Sequence, residues 1–205
     1  MSRPRGAGPE ARTGATPGAG GLPLARVAPR PVLPEQSPRI VEIVAVAREL
    51  LEKEGADALT MRRIGEVLGI RAPSLYKHVA GKAQLEARVI EAALVQFGEL
   101  LHGVVDGADG STAVDVLLRA YRRYAGEHPN LYRLCTVGPL VRDELAPGVE
   151  QWAGEPFYRV VGEPYRAQAL WAAAHGVVIL ELDGRYLPDS DLDHTWTAMA
   201  AAFRG

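Results

Sequence analysis

Between Leu59 and Lys82 the chain reads LTMRRIGEVLGIRAPSLYKHVAGK, and within it side chains suited to holding a phosphodiester backbone or reading a base edge recur at short intervals. Lys82 supplies a compact positive charge. Thr60 can cap a helix, and the N–H groups it leaves at that end favour an anion. Arg62 carries a planar fork that fits a guanine edge, and Arg71 and Lys77 are further candidates for base readout. Ala72, or the methylene of Ser74, suits contact with a thymine methyl. Lys77 fits a solvated charge as well, and Arg63 fits that reading better. Phosphate contacts position a protein, whereas base contacts specify sequence.

These residues need two short helices to hold them. Met61, Ile64 and Leu68 recur on one face, which predicts a helix over Met61–Leu68. Gly69 follows, where a helix C-terminus favours a left-handed residue. Pro73 suits the first position of a second helix, predicted from Pro73 to Val79. Its inward side would be Leu75, Val79 and part of Tyr76, which leaves Arg71, Ala72, Ser74, Lys77 and His78 outward. Gly65 inside the first helix costs about 1 kcal/mol against Ala, and a close helix–helix approach would explain it. Two helices crossing over such a turn form a helix-turn-helix, whose second helix enters the DNA major groove.

In fixed register, Thr60, Arg62, Gly69, Pro73, Leu75, Tyr76, His78 and Lys82 resemble the TetR family of bacterial transcriptional regulators. The resemblance implies an all-α protein: a three-helix DNA-binding head followed by a roughly six-helix ligand-binding and dimerisation body. It implies a homodimeric repressor, released from a palindromic double-stranded operator by a small molecule. It also implies that Thr60, Tyr76, His78 and Lys82 contact phosphates. The alternative for Tyr76 is a core aromatic with a wet hydroxyl. The contrasting reading is an all-helical ligand-binding or adaptor protein that no longer binds DNA.

A second set of side chains suits a small-molecule site. Trp171 and His175 lie four apart on one helix face, extended by Val178, with Gly176 permitting a close approach. Tyr121, Tyr124, Trp152, Phe157 and Tyr158 are candidate neighbours, giving a mostly apolar lining with a few polar tips. Trp171 and His175 fit a packed core pair as well. The segments LWAAAHGVVILEL (170–182) and YRRYAGEHPNLYRL (121–134) resemble a Trp-His-Gly subclass of TetR-like C-terminal domains. An apolar effector is expected, with no cofactor and no metal.

Charge divides the chain. Residues 1–84 carry 13 Lys/Arg against 8 Asp/Glu, a net of +5, and residues 85–205 carry 10 against 17, a net of −7. A basic front and an acidic back suggest that one end meets a polyanion. Residues 1–37 are rich in Pro and Gly and predict a disordered basic arm, either passive or lying along DNA. Ser37-Pro38 starts the head, expected over 38–84. A fourth helix is predicted from Gly81 or Lys82 to about His102, and Asp106–Gly110 as a loop. Helices are then expected over 112–127, 129–136, 148–161, 165–182, and from a cap at Asp191 or Asp193 to Phe203; residues 140–146 are ambiguous. The effector and dimerisation body takes 85–205. Its last two helices, with Ala198, Ala201 and Ala202, suit an intermolecular four-helix bundle.

No apolar run reaches the ~18 residues of a membrane span, and no apolar signal segment opens the sequence. Cys135, the single cysteine, leaves no internal disulfide and fits a small buried side chain in a cytoplasmic protein. H-E-x-x-H, paired-cysteine and G-x-S-x-G patterns are missing, so catalysis is not expected.

Overall fold

The computed structural model describes residues 28–204, and most of the arm expected over 1–37 lies outside them. From 28 to 37 the chain is irregular and mostly exposed, held at Pro31, which is buried, and at Arg30, which pairs with Glu99. Nine α-helices and no strand follow among the described residues.

Helix α1 (Pro38–Glu54) begins where Ser37 Oγ accepts from the Ile40 amide and Pro38 occupies the first turn. Helix α2 (Met61–Leu68) is capped by Thr60, whose hydroxyl accepts from the Arg63 amide at 3.1 Å, and ends at Gly69 with φ 66°. Helix α3 is shorter than the periodicity predicts. Its regular part is Ala72–Leu75, followed by a turn in which the His78 and Val79 amides both donate to the Leu75 carbonyl. Arg71 offers no side-chain cap at its start. Beyond Val79, the Gln84 side chain accepts the Ala80 amide and redirects the chain toward the next helix.

Helix α4 (Lys82–Asp106) runs 25 residues, past the expected end at His102. The buried stripe continues through Leu101 and Val105, so nothing stops the helix until Gly107, and Asp106 is its last residue rather than part of a loop. At 1.5 Å per residue it spans roughly 37 Å. Its N-terminal half completes the head core with Ile43, Leu51, Ile64, Leu75 and Val79. Its C-terminal half lies in the body core with Leu117, Tyr121, Phe157 and Leu170.

The body adds α5 (Ala113–Glu127), α6 (Pro129–Thr136), α7 (Val149–Val161), α8 (Pro164–Leu182) and α9 (Leu192–Phe203), and the ambiguous 140–146 stretch holds a single 3-10 turn, Arg142–Glu144. Asp191, not Asp193, caps α9 by accepting the His194 amide at 2.9 Å. Pro156 sits inside α7 and lacks the N–H that would satisfy the Trp152 carbonyl. The His102 ring fills that role: Nε2–H donates to Trp152 O at 3.0 Å, and the ring stacks on the Trp152 indole at 4.8 Å.

A second helix, α6, also ties head to body. On α6, Leu131 is buried in the head core while the adjacent Tyr132 is buried in the body core. The Leu131 amide donates to Glu52 Oε1 at 3.0 Å, and the Asn130 side chain donates to the Glu52 carbonyl at 3.2 Å. On the α4 side, Glu91 is fully buried, accepting from Arg88 and from the Ala146 amide, and so latches the segment before α7 to α4.

Candidate DNA interface and effector site

The head separates its side chains cleanly. Ile64, Leu75, Val79 and Leu85 are buried. Thr60, Arg62, Arg71, Ser74, Lys77, His78 and Lys82 are exposed, and Ala72 is half-buried. Tyr76 is 54% exposed and does not share the inward side expected of it. It follows Leu75 directly, so the helical turn that buries Leu75 points Tyr76 to water. Arg71 and Lys77 make no side-chain hydrogen bond or ion pair among the described residues. Arg62 pairs with Glu66 at 3.0 Å and Lys82 with Glu86 at 3.6 Å, both i,i+4 on exposed surface. Such pairs are worth about 0.3–0.5 kcal/mol, so either cation can be transferred to a phosphate at little cost. Arg63 differs. Its fork holds Glu54 at 2.7 and 3.1 Å, tying the end of α1 to α2. That hydrogen bond raises the arginine and holds the glutamate below its ordinary value.

In the body, a hydrogen-bonded chain joins three helices. Tyr121 Oη lies 2.8 Å from Tyr132 Oη, which lies 2.8 Å from His175 Nδ1. Burial pushes Tyr132 up to about 12 and holds Tyr121 well above its ordinary value, and the Trp171 side chain opposes the shift at Tyr121. Burial also holds His175 below the usual imidazole value. Phe157 meets Tyr121 edge-on at 5.4 Å, and Tyr158 is partly buried against the same core. Tyr124 stacks on Phe97 at 4.3 Å, and its buried hydroxyl has no partner. Trp171 stacks on His175 at 6.1 Å while remaining 46% exposed, so the pair is not sealed within the core.

The structure thus brings Tyr121, Phe157, Trp171 and His175 together and places Tyr124 beside them through Phe97. Trp152 stands apart, packed from α7 against α4 beside His102 and Gly98. Val178 is buried on the side of α8 that faces α5. Tyr132 and Phe97 were missed by the sequence reading, although Tyr132 lies inside the 121–134 segment. Cys135 has its thiol pushed up to about 12 by burial, which suits an inert side chain. Among the described residues no group of three or more His, Cys, Asp or Glu side chains is placed to hold a metal. No helix there is long and apolar enough to cross a membrane.

A pH dependence follows from His175. Its folded-state value is depressed, so the unfolded chain binds the extra proton first. The contribution to stability is complete above the unfolded value of about 6.5 and is lost as pH falls from there toward the folded value. Urea midpoints should drop between pH 7.5 and 5.5, and His175→Asn should shrink that drop. An unchanged pH dependence in the variant would remove His175 from the account.

An exposed cationic turn on a small head, joined by one long helix to a separate helical body, defines a helix-turn-helix DNA-binding protein. Residues 43–89 match the model described as bacterial regulatory proteins, tetR family, and residues 114–203 match the tetracyclin repressor-like C-terminal domain. The chain is 34% identical over 192 residues to an uncharacterized HTH-type transcriptional regulator of Mycobacterium tuberculosis, covering 89% of this chain and 88% of that one. It belongs to the TetR family of DNA-binding transcriptional regulators. It is also 32% identical over 101 residues to the HTH-type transcriptional repressor BdcR of Escherichia coli, 47% of each chain. A solved protein with unknown function from Rhodococcus sp. RHA1 shares the fold, with a TM-score of 0.66 at 22% identity, covering 82% of this chain and 95% of that one.

Proposed function

We propose that this chain is a homodimeric, cytoplasmic repressor, released from a palindromic operator by a small, largely apolar effector. The head is 38–84 and the body 85–205. Thr60, Tyr76, His78 and Lys82 anchor phosphates, while Arg62, Arg71 and Lys77, with Ala72 or Ser74, face the bases. The effector lodges beside Trp171, His175, Tyr121 and Phe157, in a body of the Trp-His-Gly subclass. The observation that carries effector release is α6, where Leu131 enters the head core and Tyr132 enters the hydrogen-bonded chain to His175. A ligand that displaces Tyr132 moves Leu131 with it, and so favours one orientation of the head over another. BdcR, named a repressor, supports the sign of regulation.

Pairing is supported by the outer face of α8. Ala169, Ala172 and Leu180 are exposed there, as are Ala198, Ala201 and Ala202 on α9. A helix apolar on both faces calls for a partner on each, and small residues let four helices close.

Footprinting on DNA beside its own gene tests the reading. Protection of two half-sites about one helical turn apart is expected, and a single unpaired half-site would exclude the symmetric dimer. Lys82→Ala should weaken binding to every duplex and reduce the salt slope by about one unit. An unaltered slope would take Lys82 out of the phosphate set.

A further inference from the structure

We propose that the cleft between α5 and the C-terminal half of α8 binds a small carboxylate carrying a compact apolar body. The cleft encloses about 320 Å³. Ala125, Val178 and Leu182 wall it, and Arg119, Arg122 and Arg123 stand at its rim. Gly126 also lines it, and a Cβ there would meet nothing within 4 Å.

The three arginines are not equivalent. Arg122 is already committed: its Nε and Nη2 donate to Glu181 at 3.1 and 2.7 Å, Nη1 donates to Asp193, and the guanidinium lies over the Trp196 ring at 5.6 Å. Glu181, the carboxylate in the cleft, is thereby paired, and it shares Arg122 with Asp193. Arg119 and Arg123 are exposed, four residues apart on α5, and neither makes a side-chain hydrogen bond or ion pair among the described residues. Elsewhere in the body Arg133, Arg142, Arg159 and Arg204 each hold a carboxylate of this chain, Arg166 holds the Phe203 carbonyl, and Arg185 alone among the body's described arginines outside the cleft makes no side-chain hydrogen bond or ion pair. In a body of net charge −7, two uncompensated guanidinium groups thus border one cleft.

Residues at i and i+4 share a helix face, and a guanidinium fork matches a carboxylate in two-point geometry. Apolar walls with a few polar groups at one end are the general form of a small-molecule site. The cleft lies on the α5-facing side of α8, opposite Ala172 and Leu180, so the proposed dimer face does not cover it. It shares only Val178 with the residues expected to line the effector site, and it does not depend on that reading.

Isothermal titration of the full chain with hexanoate, octanoate and 4-phenylbutyrate, each beside its primary amide, tests the proposal. At least one acid should bind tighter than its amide by about tenfold or more, as a charge-assisted hydrogen bond allows. Arg119→Gln combined with Arg123→Gln should reduce that acid to the level of its amide. Gly126→Leu, whose added Cβ meets nothing within 4 Å, should place a side chain in the cleft and abolish both. Inorganic phosphate, charged but without an apolar body, should bind at least tenfold more weakly, and Tyr132→Phe should leave acid binding unchanged. The proposal is overturned if no acid outbinds its amide, or if acid binding survives loss of both charges. It is equally overturned if acid binding falls with Tyr132→Phe, which would place the ligand in the effector site instead.

Discussion

Gly65→Ala is expected to lower the melting temperature and to abolish specific operator binding. The substitution pits two effects of opposite sign against each other. In a helix interior Ala is favoured over Gly by about 1 kcal/mol, which alone would stabilise α2. Against this, a Cβ at position 65 would lie 2.8 Å from the Ile70 carbonyl oxygen, 3.5 Å from the Ala72 amide nitrogen and 3.6 Å from the Leu75 side chain. The nearest atom is backbone, in the turn that carries α3, and it cannot rotate away. The Gly65 carbonyl also accepts the Ile70 amide at 2.9 Å, so the turn is clamped to this residue from two sides. Overpacking of this kind costs about 1–3 kcal/mol, and relief requires α3 to move away from α2. Arg71, Ser74 and Lys77 would move with it, so DNA affinity should fall further than stability. Gly103→Ala on α4 is the control, because a Cβ there meets nothing within 4 Å. It should be neutral or stabilising by up to about 1 kcal/mol. A Gly65→Ala protein that melts higher than wild type and still binds its operator would refute the close approach.

What sequence alone revealed divides along physical lines. Helix starts were legible wherever a side chain or a proline does the capping, as at Ser37-Pro38, Thr60, Pro129 and Asp191, because those are local interactions. The gap-free register from Thr60 to Lys82 located the head. The length of α3 was less legible. Leu75 and Val79 keep helical spacing, yet Gln84 takes the Ala80 amide, a competitor that periodicity does not reveal. The end of α4 is expected at about His102, and the helix in fact continues to Asp106. The His102 imidazole is engaged with the Trp152 carbonyl, left without an N–H by Pro156, 54 positions along the chain. The same long-range contact drew Trp152 away from the effector residues with which it had been grouped. Leu131 and Tyr132 show the limit most plainly: two adjacent apolar residues on a short helix serve two different cores, and only the three-dimensional packing assigns each to its own.

Gly98→Ala should destabilise the body, and its cause can be separated by a second substitution. Gly98 lies midway along α4, where Trp152 of α7 packs flat against the helix. A Cβ there would stand 2.5, 2.9 and 3.1 Å from three carbons of the indole ring. The ring is buried, stacked on His102, and follows directly from the backbone carbonyl that His102 holds. It has no free rotamer to take. Either α4 and α7 separate or the indole leaves its stack, and Glu91 resists separation by holding the Ala146 amide just before α7. The expected loss is about 1–3 kcal/mol for overpacking, despite the helix-propensity gain of about 1 kcal/mol from Ala. Trp152→Leu alone should also destabilise, by removing aromatic surface from the α4–α7 contact. The double variant should be less destabilised than the sum of the singles, because Leu leaves room for the new methyl. A coupling of 0.5–3 kcal/mol is the range for groups in contact, and urea melts of the four proteins measure it. Strict additivity would show that position 98 does not depend on the ring. Since α4 also carries the head, a shift at Gly98 should reach the operator as well: Gly98→Ala should alter DNA affinity, and Trp152→Leu should restore part of it.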